Sequence, residues 1–198
     1  MPSPSAQRYL PGGVPLFGAA HLVAMVASRT DHPVLPVLDR LVAAGGSADE
    51  VLAALQQWSA WGLPDFCICE RTETGFRLLI RGGFEVRPDG ETPITVREEP
   101  WADGTVTNEA VTVRALMDPP RGGPAVAFYG GSALASLVRF ATGRAAEAML
   151  GAPPAAPLLA APPTPVLPTS AARAGLDVRG ADRVPPHDRP DDSGSRPG

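Results

Sequence analysis

Glu98, Glu99, Trp101 and Asp103 set three carboxylates around one aromatic, and Arg81 ends the apolar run Arg77–Arg81 upstream of them. Carboxylates grouped in this way can bind a cation or divide acid and base roles between them. An arginine's planar fork can hold a carboxylate or lie on a ring. Arg81, Glu98, Glu99, Trp101 and Asp103 are therefore the candidate surface site, and a small enzyme or small-ligand binder built on them is one reading of the chain. The plainer reading is a solvated edge, because consecutive glutamates in a turn-rich stretch are mostly exposed. Arg81 then pairs with Glu85 or Glu99, and Trp101 covers a sheet. Cys67 and Cys69 lie two apart, so in a strand both point to one face. Such a pair can be redox-active or give two metal ligands. It reads more simply as two small core residues, because the chain has no other cysteine and only His21, His32 and His187 as histidines. Ser132 and Ser136 stand in no G-x-S-x-G elbow. The pairs Gly82-Gly83, Gly122-Gly123 and Gly130-Gly131 fit turns rather than a phosphate loop. No catalytic, cofactor-binding or metal-ligating residue is assigned, and no cofactor is expected.

Composition narrows the chemistry further. All 17 basic residues are arginine, which removes the P-loop lysine, Schiff-base catalysis and any lysine general base. A formal net charge of −4 without a basic stripe interleaved with aromatics argues against nucleic-acid binding. The apolar stretch from Gly13 to Ala27 is interrupted by Pro15, Gly18 and His21 and does not read as a signal peptide. The stretch from Ala125 to Ala141 contains Arg139 and falls short of the ~20 apolar residues that a membrane span needs. A soluble, cytoplasmic protein with no membrane or nucleic-acid partner is the expectation.

The elements that must position these residues are read from periodicity and punctuation. Residues 1–18, rich in Pro and Gly, are expected to be a flexible N-terminus. His21–Ala27 reads as a buried strand. Asp31 can cap a helix that opens at His32-Pro33, carries Val34, Leu35, Leu38, Leu41 and Val42 on one face, and stops at Gly45-Gly46. Ser47 and Glu50 form an S-x-x-E capping box. The helix behind it presents Val51, Leu52, Leu55 and Trp58 at helical spacing and ends at Gly62-Leu63-Pro64. Asp65–Arg71 and Phe76–Arg81 read as a hairpin around Thr72–Gly75. Short strands follow at Phe84–Arg87, Ile94–Arg97, Thr105–Asn108 and Val111–Leu116, with Pro88-Asp89-Gly90 as a turn. The sum is an α+β domain over residues 19–118, two helices packed on an antiparallel sheet of short strands. Residues 119–150 open with a Gly/Pro break and hold a possible helix bearing Leu134, Leu137, Val138, Ala141 and Ala145. Residues 151–198, dominated by Pro, Ala, Gly, Asp and Arg without an aromatic, read as a disordered Pro-rich tail.

This order of motifs resembles the N-terminal region of actinobacterial proteins that carry a C-terminal forkhead-associated (FHA) domain. The matching pieces are the strand His21–Ala27, Asp31-His32-Pro33-Val34-Leu35 opening a helix, Leu63-Pro64-Asp65-Phe66 after the next helix, Arg81-Gly82 closing a strand, and Trp101 in a Trp-acid pattern. They span roughly residues 20 to 117. FHA domains read phosphothreonine through Gly-Arg followed by Ser-x-x-His, and Gly143-Arg144 is not so followed, so no binding residue is carried over. The resemblance implies a non-enzymatic interaction or regulatory domain in signalling, with a protein partner and without the phosphothreonine-binding module.

Overall fold

The computed structural model describes residues 5–58, 62–96, 101–120 and 122–151. Ser5–Ala19 forms a long strand, β1, so the expectation of a flexible N-terminus over residues 1–18 is corrected. The residues that suggested loose chain sit at a bulge. Pairing of β1 with the strand Gly131–Thr142 (β10) runs unbroken from Ser5 to Leu10, slips at Pro11 and resumes at Val14. Pro11, Gly12 and Gly13 thus leave the ladder where a missing amide or side chain does least harm. A β-carbon on Gly12 would collide with the backbone nitrogen of Ser136. The Ser136 hydroxyl donates to the Pro11 carbonyl at 3.2 Å, and the Gly13 N–H donates to the Asp118 carboxylate, which ties the bulge down.

After β1 come β2 (Leu22–Ala27), α1 (Leu35–Ala43), α2 (Ala48–Gln57), β3 (Asp65–Arg71), β4 (Phe76–Arg81), β5 (Phe84–Pro88), β6 (Ile94–Thr95), β7 (Ala102–Val106), β8 (Ala110–Ala115) and β9 (Val126–Phe128). Then β10 leads directly into α3 (Gly143–Gly151). The strands form one antiparallel sheet in the order β6-β5-β8-β10-β1-β2-β3-β4-β7, with β9 on β1 beside this path. Helices packed on an antiparallel sheet is the expected α+β class. Two details differ. The sheet's middle is made by two long strands, β1 and β10, and the helices among the described residues number three. The expected boundaries at residues 19 and 118 are corrected too, since β1 and β10 lie on either side of them and belong to the same sheet. Within 119–150 the helix begins only at Gly143. Leu134, Leu137, Val138 and Ala141 lie on β10, which has sheet neighbours on both sides and is buried from Ala135 to Val138. Buried on both faces, such a strand loses polar alternation and mimics a helical stripe. The tail expected beyond Gly151 lies outside the described residues.

Two cores sandwich the sheet. Its concave side encloses Leu16, Met25, Cys67, Phe76, Phe84, Val113 and Phe140, one or more side chains from each of seven strands. The rings of Phe76 on β4 and Phe140 on β10 meet edge to face at 4.9 Å between centroids, although three strands separate them in the sheet. In a flat sheet they would stand about 19 Å apart, so the sheet curls around this core. On the convex side α1 and α2 pack Val34, Leu38, Val42, Val51 and Leu55 against Phe17, Leu22, Phe66, Ile68 and Leu79. The capping box at Ser47 and Glu50 forms as expected, whereas α1 starts at Leu35 with no side-chain cap. Asp31 pairs instead with Arg29 at 3.0 Å, and His32 Nδ1 accepts the Val34 N–H at 3.2 Å. Trp58 is also corrected. It falls at the C-cap of α2 and is 43 % exposed, because the helix ends there and its stripe goes no further.

Candidate functional site

The described members of the sequence-predicted site, Arg81, Trp101 and Asp103, lie at the paired β4 and β7 strands. Arg81 closes β4, and its Nε donates to the Leu63 carbonyl at 3.3 Å. Trp101 is partly buried against the helix-side core. Asp103 lies on β7 opposite Leu79, where Arg77 takes both of its oxygens at 3.1 and 2.7 Å. Glu98 and Glu99 lie outside the described residues.

Asp103 therefore belongs to a clamp that the sequence reading missed. Arg77, on the convex face of β4, also holds both oxygens of Asp49 in the first turn of α2, at 2.9 and 3.0 Å. One β4 residue thus fastens the helix start to the edge strand β7. The neighbouring β3 strand assists, since Glu70 accepts the Ala48 N–H at 3.1 Å. Paired to one guanidinium, the Asp49 and Asp103 carboxyls are held below the usual carboxylate range, chiefly by the Arg77 hydrogen bonds. The Arg77 guanidinium is pushed further up by the same bonds. Both Asp103 oxygens are committed to positioning a helix. The signal for the clamp was strand alternation, which puts Arg77 and Leu79 on one face, but the partner strand and its register were needed to see it.

Cys67 and Cys69 are buried on the concave side, with Sγ atoms 3.9 Å apart. Burial pushes the Cys67 thiol well up, with the neighbouring Cys69 adding to it. A protonated, enclosed thiol is a poor nucleophile and a poor metal ligand. Among the described residues no group of three or more His, Cys, Asp or Glu is placed to hold a metal ion, and no helix is long and apolar enough to cross a membrane.

What the surface offers is a groove of about 560 Å³ where the start of α1 overhangs β1 and β10. Its walls are largely apolar, with Pro15 and Phe17 from β1, Leu35 and Pro36 from α1, and Leu134 from β10. Leu134 is 45 % exposed. Asp31, His32 and Asp39 line the α1 side. The groove depends on the two elements misread from sequence, because Pro15 and Leu134 face each other in the β1–β10 register. A second cleft, of about 650 Å³, is lined by polar turn residues including Thr72, Thr107, Asn108 and Glu109. Glu109 there accepts the Ala145 N–H at 3.2 Å and caps α3.

No family model matches this chain, and no curated protein or solved structure shows significant similarity to it.

Proposed function

We propose that this protein is a non-enzymatic interaction domain that holds an apolar segment of a protein partner in the groove between α1, β1 and β10. The observation that carries the reading is the apolar wall left open to water, with Leu134 nearly half exposed beside Phe17 and Leu35. Apolar surface arranged as a concavity is how proteins take up hydrophobic side chains of a ligand. Asp39 on the same groove favours a partner segment with a basic residue next to its apolar ones. The motif order resembling the N-terminal region of actinobacterial FHA proteins supports a place in signalling, working beside a phosphothreonine reader and not as one. Buried free cysteines are in keeping with a reducing, cytoplasmic setting.

The test is selection of peptides on the wild-type protein, followed by titration against Leu134→Arg. Selected peptides should be rich in apolar residues, and their affinity should fall about tenfold or more in the variant, at an unchanged melting temperature. Peptides that bind both proteins equally would sink the groove as the binding surface.

A further inference from the structure

The register of β1, β10, β8 and β5 orders their convex side into rows. Ala6, Ala141 and Ala110 form the first, and α3 packs Ala146 and Met149 on it. The second row is Arg8, Arg139, Thr112 and Arg87, each directly opposite the next. The third is Leu10, Leu137, Arg114 and Glu85. Two adjacent rows therefore hold four arginines and one glutamate, on a chain whose net charge is −4.

Folding alone does not favour this arrangement. Arg8 and Arg139 stand as a direct cross-strand pair, and like charges in that relation destabilise a sheet. The Nε of Arg114 is buried with no hydrogen-bond partner among the described residues, which is a costly state for a donor. The acids that temper the row reach it singly and remain partly open to water. Asp89, in the turn after β5, pairs with Arg139, and Glu85 pairs with Arg87 at 3.3 Å. Arg8 donates to the Met149 carbonyl in the last turn of α3, so it too is held in place beside the row.

We propose that the Arg8–Arg139–Thr112–Arg87 row docks an extended acidic segment of a partner protein. The row spans three strand spacings, about 14 Å. Side chains on one side of an extended peptide recur every ~7 Å, so carboxylates at alternate positions cover the same length. Guanidinium forks bind carboxylates through charge-assisted, often bidentate hydrogen bonds. Thr112, between Arg139 and Arg87, offers a hydroxyl to the peptide backbone or to a carboxylate. A lone phosphate group is too small to use the whole row. The row includes Arg8 near the start of β1, whereas the apolar groove begins at Pro15 beyond the bulge, so the two surfaces are tested by different variants and one can fail without the other.

The experiment titrates the full chain with a synthetic peptide of alternating glutamate and serine. Controls are the same peptide with glutamine for glutamate, a phosphoserine peptide without glutamate, and a single-stranded oligonucleotide. The glutamate peptide should bind best and weaken by roughly tenfold on raising salt well above physiological strength. Arg87→Glu should cost about tenfold or more, and Arg87→Gln a smaller loss in the same direction. Asp89→Asn and Glu85→Gln release Arg139 and Arg87, so both should tighten binding, and a general loss of folding cannot imitate that sign. The proposal is overturned by equal binding of the glutamate and glutamine peptides, by preference for the phosphopeptide or the oligonucleotide, or by weaker binding in Asp89→Asn.

Discussion

Phe76 and Phe140 touch edge to face although β1, β2 and β3 lie between their strands in the sheet. That contact joins one strand of the sequence-evident hairpin to a strand that sequence pattern assigns to a helix. Both rings are fully buried, and truncating either leaves a cavity that the curled sheet cannot collapse around. Phe140→Ala should cost ~3–5 kcal/mol, read by chemical denaturation. A loss under about 1 kcal/mol would mean that the curl is not held there.

Trp58 supplies the opposite expectation. Helical spacing groups it with Val51 and Leu55, but α2 ends before it and it is nearly half exposed. Trp58→Ala should shift stability by no more than about 0.5 kcal/mol, the usual range for surface positions, while Leu55→Ala should cost ~2–5 kcal/mol. Equal effects of the two would restore the longer stripe.

The Arg77 clamp has a pH signature. Asp49 and Asp103 have folded-state pKa values below their unfolded ones, so their contribution is complete above the unfolded carboxylate value of about 3.9 and fades as pH falls through the lower folded values. Arg77→Met removes the shared partner. Because the ion pairs are substantially open to solvent, the loss at neutral pH should be small. The gap between wild type and variant should stay level from neutral pH to about pH 5 and close in stronger acid. A gap that widens on acidification would contradict the clamp.

How much of this was legible in sequence follows from where each signal is carried. The capping box needs four consecutive positions, and it was read correctly. Ser47→Ala should cost about 1 kcal/mol, measured by the same denaturation. The hairpin of β3 and β4 is likewise local, with its register set by a short turn. The centre of the sheet is not local. β1 hides behind Pro11, Gly12 and Gly13, which signal a loop unless a bulge is foreseen, and β10 is fixed as a strand by neighbours far away in the chain. The groove and the arginine row both require the β1–β10 register. Of the sequence site at Arg81, Glu98, Glu99, Trp101 and Asp103, Asp103 accepts from Arg77, and that pairing was not legible because Arg77 lies on another strand and its second partner, Asp49 in α2, is distant in sequence.

Truncation separates the expected domain from the observed one. A chain ending after Met117 keeps both hairpin strands and the helices α1 and α2, and sequence pattern makes it a complete domain. In the structure it loses β10, the partner of β1 along nearly its whole length and of β8 on one edge. Phe140, Val138 and Ala135 leave the concave core with it. The remaining strands then fall into two groups, β6-β5-β8 and β1-β2-β3-β4-β7, with no hydrogen-bonded ladder between them. The buried edges of β1 and β8 would face water with unpaired backbone groups. This chain should therefore show no cooperative thermal transition, whereas one ending after Gly151 should unfold cooperatively within a few degrees of the full protein. Calorimetry of both decides the matter, and a sharp transition in the shorter chain would show that β1 and β8 do not need β10.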